Sequence, residues 1–331
     1  MINFNARSSI YYRATNGSAG CTFQTAKQLA IKKQKLDQQR QVLQSQIMNS
    51  SKLVGLIFDA ITRQQGFSFI RLGDSELLIL AQDLIFPSRI DISQWGNLLA
   101  ELCCDSDLGE GDDEVSRWWY IIQVSGNQFP DRVAWEYLVK AVSSATVIGV
   151  PSTYRPGRSL KHMKLLEGFQ TLFIKILSEL NIPIESLKLA DSAEHHMLHA
   201  SGWFRRLLVP NQYPGLCQQF GLPFNFQPRI LLVGNLAAPF ADLLIREGCK
   251  ITASIQPVGM YNIKDVIRAI QQYSFDLALV SAGTAAKYIC TSIAQRMGKV
   301  ALDTGQLFDE LLYEYGHLNH ENYIIPFMSF M

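Results

Sequence analysis

Two carboxylates, Asp74 and Glu76, follow a short run of alternating residues that ends in a glycine, in the segment FSFIRLGDSE. The alternation over residues 67–72 predicts a β-strand, and Gly73 permits the tight turn that would deliver both carboxylates at the end of that strand. Carboxylates in this position form a hard-oxygen site of the kind that Mg²⁺ or Mn²⁺ prefers, with water and substrate phosphates as the remaining ligands. Such an ion could neutralise the charge that develops on a departing diphosphate, and Arg71 could add a fixed positive charge to the same phosphates.

The same residues also have a purely structural interpretation. Asp74 could cap the helix that the following residues, LLILAQDL, predict, and Glu76 would suit the first turn of that helix. Arg71 could likewise form a structural ion pair, because the alternation of the strand does not fix the partner that its side chain meets. Residue types and spacing alone leave both interpretations open.

The elements that must position these residues alternate between short apolar runs and amphipathic helices from about Lys52 onward. This alternation is typical of a parallel sheet covered by helices, so we predict an α/β, Rossmann-like, mostly parallel sheet with helices on both faces. The predicted strands are residues 67–72, 146–150, 187–191, 229–233, 250–255, 276–281 and 299–302. The last four alternate with predicted helices at residues 237–247, 262–273 and 285–296. Residues from about 90 to 144 predict a helical insertion.

Ligands of such sheets bind at the carboxyl ends of the strands, so the residues after each predicted strand are the candidates for holding a ligand. These candidates are Arg71, Gly73, Arg155, Gly234, Asn235, Gly283, Thr284 and Asp303. Arg155, in STYRPGRSLK, could clamp phosphate oxygens or could be solvated, and the turn at Gly234 suits a phosphate or a plain tight connection. Away from the strand ends, Arg205 in the segment WFRR stands near an aromatic ring, a combination that can stack a base or sugar and bind a diphosphate.

A histidine cluster, His195, His196 and His199, offers a second chemistry. His195 and His199 are four residues apart, the spacing at which two imidazoles on one helical face can share a zinc ion. The order of the H-E-x-x-H motif is absent and no third ligand follows, so a metal-dependent hydrolase is the weaker hypothesis. A neutral imidazole could instead deprotonate an acceptor hydroxyl, and we assign His196 to that catalytic role.

The first 50 residues form a basic extension, with seven basic side chains and a single acidic one. Residues 1–23 are rich in Ser, Asn, Gly and Tyr and predict poor order, whereas residues 24–50 are strong helix formers. Leucines seven residues apart, from Leu29 to Leu43, could support a homodimer or lie against the body of the protein. The positive charge of the extension could contact an anionic membrane surface or could simply be solvated.

The composition of the chain excludes several classes of protein. Among 331 residues, 30 basic side chains face 29 acidic ones, which argues against a nucleic-acid partner bound by bulk charge. A hydrophobic fraction of 48% is enough to bury a globular core. Neither a membrane-spanning apolar segment nor a secretion signal is visible, and the six cysteines lack the spacing of a zinc site or a disulfide frame. We therefore expect a cytoplasmic location.

The segment RLGDSE resembles the Arg-x-Gly-Asp-Gly-Glu signature of the GT-D-type glycosyltransferases, a bacterial family. A second segment is similar to the C-terminal part of that family's domain: DLALVSAGTAAKYICTSIAQRMGKVALDTGQ. In the family, an apolar strand there leads to a Leu-Gly-Pro-Thr-Ala turn, a helix and a strand ending in Asp-Ile-Gly-His. The resemblance spans about residues 52–312 and marks residues 51–331 as a GT-D-like catalytic domain. Three departures are Ser75 in place of glycine, the missing proline at residues 282–285, and Gln306 in place of a histidine that titrates.

The resemblance implies a transfer of sugar from a nucleotide diphosphate to a glycan, glycoprotein or glycolipid, assisted by Mn²⁺ or Mg²⁺. It implies that Asp74 and Glu76 lie at the metal and the diphosphate, and we favour a UDP-sugar as the donor. Gly283 and Thr284 would approach the donor through their backbone. The altered turn at Gln306 motivates an alternative, a non-catalytic nucleotide- or glycan-binding module on the same fold, which would bind a nucleoside diphosphate without turning over any donor.

Overall fold

The computed structural model describes residues 23–85, 131–152, 160–193 and 202–314. In chain order the strands are β1 (Ile47–Met48), β2 (Phe67–Arg71), β3 (Val147–Val150), β4 (Leu189–Asp191), β5 (Arg229–Gly234), β6 (Lys250–Ile255), β7 (Leu277–Ser281) and β8 (Val300–Asp303). The helices are α1 (Phe23–Gln46), α2 (Ser50–Thr62), α3 (Asp74–Leu80), α4 (Gln82–Ile85), α5 (Arg132–Val142), α6 (Leu160–Glu179), α7 (Trp203–Leu208), α8 (Pro214–Gln219), α9 (Ala237–Arg246), α10 (Ile263–Ile270), α11 (Ala285–Met297) and α12 (Leu307–Glu314). Short 3₁₀ turns lie at Ile184–Ser186, Pro210–Gln212 and Met260–Asn262.

The strands form one parallel sheet in the order β1-β4-β3-β2-β8-β7-β5-β6. Strand β2 continues into α3, which packs on one face of the sheet, whereas its neighbour β8 continues into α12, which packs on the other face. Connections that leave adjacent strands toward opposite faces open a crevice at the carboxyl edge, the usual ligand site of such sheets. The topology therefore indicates that a ligand site lies at the carboxyl ends of β2, β8 and the next strand, β7.

Two apolar layers hold the sheet, one on each face. Alternate residues of each strand enter opposite layers, so that Phe69 belongs to the layer that contains α2, α9 and α12, while Ile70 belongs to the layer that contains α3, α5, α6 and α11. Both side chains are buried, at 2% and 0% exposure. Burial on both faces is the reason that the inner strands are nearly continuous apolar runs, whereas the edge strand β6 alternates apolar and exposed polar residues.

The predicted fold class is confirmed. All seven predicted strands are present, with ends that differ from the prediction by two residues or fewer. The unpredicted strand, β1, has only two residues, Ile47 and Met48, which is too short for a hydrophobic period to appear. Of the predicted helical insertion at residues 90–144, residues 90–130 lie outside the described residues, and α5 (Arg132–Val142) lies in the described remainder.

The described part of the basic extension lies against the body of the protein. Leu36 and Leu43 of α1 are buried in the core, and Arg40 forms an ion pair with Glu167 of α6 at 3.3 Å. Strand β1 then joins the sheet beside β4. A homodimer and a membrane contact remain predictions. Within the described residues, every helix falls short of the length or the apolar character that crossing a bilayer requires.

Candidate functional site

The acidic pair lies in the first turn of α3, directly after β2. Gly73 is the N-cap residue, and Glu76 reaches back so that its Oε2 accepts the Gly73 N–H at 2.9 Å. This is the reciprocal half of a capping box, which satisfies a backbone donor at the helix start. Asp74 Oδ1 accepts the N–H of Ser75 at 2.8 Å. Local hydrogen bonds therefore fix the turn that carries both carboxylates.

Glu76 is also part of a buried network that extends to β7 and α11. Glu76 is 6% exposed, and its Oε1 accepts a hydrogen bond from the hydroxyl of Thr284 at 3.2 Å. The same oxygen forms an ion pair with Lys287 Nζ at 3.0 Å. Lys287, 4% exposed, also donates to the carbonyl oxygen of Gly283 at 3.0 Å. The turn after β2 is thus joined to the turn after β7 through charge-assisted hydrogen bonds.

Asp303 connects β8 to the same network. It is 1% exposed, and its Oδ2 pairs with Lys287 Nζ at 3.2 Å and accepts the backbone N–H of Arg71 at 3.0 Å. Its Oδ1 accepts the N–H of Gly305 at 3.1 Å. One buried ammonium therefore lies between two buried carboxylates from different strands. The ammonium and the carboxylates stabilise one another in this place, because a buried charge without a partner of opposite charge is costly.

The network shifts the pKa values of its members in opposite directions. Burial raises the pKa of the Glu76 carboxyl, but the charge and hydrogen bond of Lys287, with the Gly73 N–H and Arg71, outweigh burial and hold that pKa below its usual value. Burial lowers the pKa of Lys287, but Asp303 and Glu76 outweigh it and hold that pKa above its usual value. Both groups are therefore charged at neutral pH.

Arg71 is the second cation at this edge. Its side chain is half-buried, and its Nε donates to the carbonyl oxygen of Ser192, which follows β4. Burial lowers the pKa of the guanidinium, against the opposing charges of Asp303 and Glu76, and an arginine remains protonated throughout. The guanidinium lies against Gly305, where a Cβ atom would overlap it. Arg71 thus spans the space between the ends of β4 and β8.

We expect Gly305→Ala to displace the Arg71 guanidinium. Gly305 has φ +54, where an alanine costs about 1–2 kcal/mol, and the added Cβ would also meet the guanidinium. Gly298→Ala is the matched control, because Gly298 has φ +63 but no atom near the added Cβ. Urea unfolding should show a larger loss of stability for Gly305→Ala than for Gly298→Ala. Equal losses would mean that the guanidinium is not held in this place.

The structure brings most of the predicted residues together at one edge. Those within or beside the network are Arg71, Gly73, Asp74, Glu76, Gly283, Thr284 and Asp303. Gly234, at the end of β5, packs against the backbone of Ser281, whose hydroxyl donates to the Gly305 carbonyl at 2.6 Å. Gly234 needs to be glycine, because a Cβ there would overlap the Ser281 carbonyl. Gln306 is exposed at the start of α12.

Other predicted residues lie elsewhere. Arg205 is 59% exposed and pairs with Glu247 at 3.6 Å, at the end of α9 and thus near the amino ends of the strands. The side chain of Asn235 accepts the N–H of Val258 at 2.8 Å, so it ties the turn after β5 to the turn after β6. Arg155 and the three histidines, His196 included, lie outside the described residues.

Lys287 is the member of the network that the sequence interpretation missed. It follows Thr284 by three residues, so both lie on the same face of the first turns of α11. The neighbouring residues, in AAKYIC, are mostly apolar and buried. A single lysine at an inward position of an apolar helix was the available signal, because a buried lysine requires a carboxylate partner.

The two carboxylates differ in burial, which bears on which of them could contact a divalent ion. Glu76 is 6% exposed and already has its countercharge in Lys287, so it does not fit a direct ligand while the Lys287 pair is formed. Asp74 is half-buried in the turn and fits the single carboxylate that Mg²⁺ needs when phosphates complete its shell. In the described part of the chain there is no group of three or more ligating side chains that could hold a metal.

The fold and the site define an open, doubly wound α/β protein with a polar, charged edge at its switch point. A family model described as the GT-D fold-like domain matches residues 48–311, and the chain belongs to this GT-D-like family. The resemblance noted in RLGDSE is thereby confirmed. No curated protein sequence matches the chain.

Two similar solved structures carry the domain of unknown function 1792. One, described as having a distinct glycosyltransferase fold, is 12% identical over 84% of this chain and 93% of that chain, with a TM-score of 0.45. The other, described as a new glycosyltransferase from Streptococcus sanguinis, is 15% identical over 84% of this chain and 92% of that chain, with a TM-score of 0.41.

Proposed function

We propose that this GT-D-like protein is a glycosyltransferase that uses a nucleotide-diphosphate sugar. The observation that carries the proposal is the buried Glu76–Lys287–Asp303 network, which locks three strand ends around one crevice edge. A buried charged network of this kind orders the turns beside it, and ordered turns are what positioning of a diphosphate requires. Family membership supports the same assignment.

The groups at this edge suit a diphosphate. Arg71 supplies a fixed, planar cation for phosphate oxygens, and the N-terminal end of α11, the positive end of the helix dipole, lies at the same edge. Gly283, exposed with φ +51, would let the backbone of this turn approach the donor closely. Asp74 would hold Mn²⁺ or Mg²⁺, an ion that supplies positive charge to the departing diphosphate.

The roles of Glu76 and Lys287 follow from their burial. Glu76 would act by fixing the Gly73–Asp74 turn, and Lys287 by pairing with Glu76 and Asp303 and so holding both side chains in place. His196 remains the candidate base for the acceptor hydroxyl, and Arg155 a candidate phosphate ligand. We further propose a UDP-sugar donor, a glycan, glycoprotein or glycolipid acceptor, a cytoplasmic location and no nucleic-acid partner.

Thermal unfolding with added nucleoside diphosphates tests donor binding. A ligand that binds the folded state alone raises the melting temperature by mass action, so we expect UDP to raise it more than the other diphosphates do. The rise should be larger with Mn²⁺ or Mg²⁺ than with a chelator. The absence of any rise with every diphosphate and ion would contradict the proposal.

The alternative is a non-catalytic module that binds a nucleotide or a glycan on the same fold. The exposed Gln306 at the start of α12 favours it, since a glutamine cannot transfer a proton. The module would show the same stabilisation by a nucleoside diphosphate, but no nucleotide sugar would be hydrolysed or transferred. Release of UDP from a UDP-sugar in the presence of metal therefore separates the two functions.

A further inference from the structure

A second polar groove lies on the helical face formed by α5, α10 and α11, away from the crevice edge. Its volume is about 440 Å³, and its lining includes the basic side chains Lys140, Lys264, Arg268 and Arg296. They come from three different helices, so the tertiary structure and not a run of sequence collects them. Against these four cations the lining contains one acidic side chain, Glu136.

The described residues neutralise the cations of the groove only weakly. Arg268 pairs with Asp265 at 3.2 Å, but both side chains are more than 70% exposed, and such pairs contribute little. In the described part of the chain neither Lys140 nor Lys264 forms an ion pair. The whole chain is formally +1, so a local excess of three charges is a concentrated positive surface.

Two tyrosines add aromatic surface and a hydrogen-bond donor. The rings of Tyr137 and Tyr288 are in contact, with centroids 4.6 Å apart, and both residues line the groove. Arg296 donates to the hydroxyl oxygen of Tyr288 at 3.1 Å, which leaves that hydroxyl's own hydrogen to be donated elsewhere. Ammonium, guanidinium and phenol groups are all donors, and together they match a ligand rich in oxyanions.

We propose that this groove binds an acidic saccharide, a sugar chain that carries carboxylate or phosphate groups. The oxyanion chemistry follows from the cations and donors of the lining, and the volume accommodates one sugar unit and its charged substituent. The choice of a saccharide rests on the proposed function, because a glycan-modifying enzyme needs surfaces that hold its acceptor chain. A concave groove between helices suits a chain that enters it better than a flat bilayer surface.

The groove is connected to the crevice edge through α11. Lys287, in the buried network, is followed directly by Tyr288. Arg296 lies eight residues beyond Tyr288, which is about 12 Å along the helix axis at 1.5 Å per residue. An extended saccharide of a few units covers such a distance. The groove would therefore hold a part of the acceptor that is remote from the reacting hydroxyl.

Calorimetric titration of the full chain with tetragalacturonate, without any donor, tests the proposal. We expect binding that weakens with added salt, and no binding of the neutral maltotetraose. Lys140→Gln/Lys264→Gln should weaken tetragalacturonate binding by about tenfold or more, since it removes two of the four cations. The matched control is Lys52→Gln/Lys188→Gln, which removes two exposed lysines outside the groove and should keep the wild-type affinity.

Three results would overturn the proposal that this groove binds an acidic saccharide. Absence of tetragalacturonate binding at low salt, or an equal loss in the control variant, would remove the groove as a saccharide site. Binding to phosphatidylglycerol vesicles that needs Lys140 and Lys264, without saccharide binding, would make it a membrane contact instead. Stabilisation by a nucleoside diphosphate should be unchanged in the groove variant, so failure of the groove and failure of the transferase assignment are separate results.

Discussion

Replacing Lys287 with methionine should destabilise the protein by about 3–5 kcal/mol at pH 7. The substitution leaves the carboxylates of Glu76 and Asp303 buried without their shared cation, and methionine has a similar length but no charge. The free energy of unfolding, measured in urea, is the readout. Lys52→Met, at an exposed position of α2, is the control and should change stability by about 0.5 kcal/mol or less.

The loss should depend on pH in a defined direction. In the wild type the pKa of Glu76 lies below its usual value, so its stabilisation is present above the ordinary carboxyl pKa of about 4.3 and is lost as pH falls through the folded-state pKa. In Lys287→Met burial is no longer opposed by the ammonium, so the pKa of Glu76 rises and the carboxyl takes up a proton at a higher pH than in the wild type. The stability difference should therefore be largest near neutral pH and shrink below about pH 4.

A double-mutant cycle distinguishes a true network from a general packing defect. Glu76→Gln/Lys287→Met should lose less stability than the sum of the two single variants, because the first change removes one of the unpaired charges that the second creates. Strict additivity, or a loss below about 1 kcal/mol for Lys287→Met, would show that the ammonium is not buried between two carboxylates.

Asp74→Asn should lower the metal-dependent turnover of a nucleotide sugar by at least about 100-fold. The substitution removes the charge of the carboxylate that we assign to Mn²⁺ or Mg²⁺, and it keeps the shape of the side chain. An asparagine oxygen can still accept the Ser75 N–H, so the turn and the stability of the fold should persist. Release of the nucleoside diphosphate, measured over a range of Mn²⁺ concentrations, is the readout.

The control for this prediction is Asp242→Asn, on the exposed side of α9. It removes one carboxylate from the surface and should leave turnover at the wild-type level. Wild-type turnover in Asp74→Asn, with the same dependence on metal, would remove Asp74 from the mechanism. Turnover absent from the wild type itself, together with stabilisation by UDP, would favour the non-catalytic module.

The hydrophobic pattern of the sequence by itself determined the helices and strands of this protein. The strand at residues 250–255 and the helix start at residue 285 are predicted at their observed positions. In the strand, apolar residues alternate with polar ones, which is the period of a strand with one exposed face. The turn at Gly73 and the placement of Glu76 in the first helical turn were also visible, because capping is a local property of a few adjacent residues. The family was recognisable from RLGDSE because that signature is also a short run of adjacent residues.

Only the tertiary structure decided what the charged side chains meet. Glu76 accepts from Thr284 and pairs with Lys287, more than 200 residues away along the chain, and no local pattern reports a partner at that separation. Arg205 and Arg71 are both predicted to meet a diphosphate, yet Arg205 pairs with Glu247 far from the crevice and Arg71 lies within it. Ion pairs and hydrogen bonds act over a few ångströms in space. Their partners are therefore set by which strands lie side by side in the sheet, and hydrophobic periodicity does not encode that order.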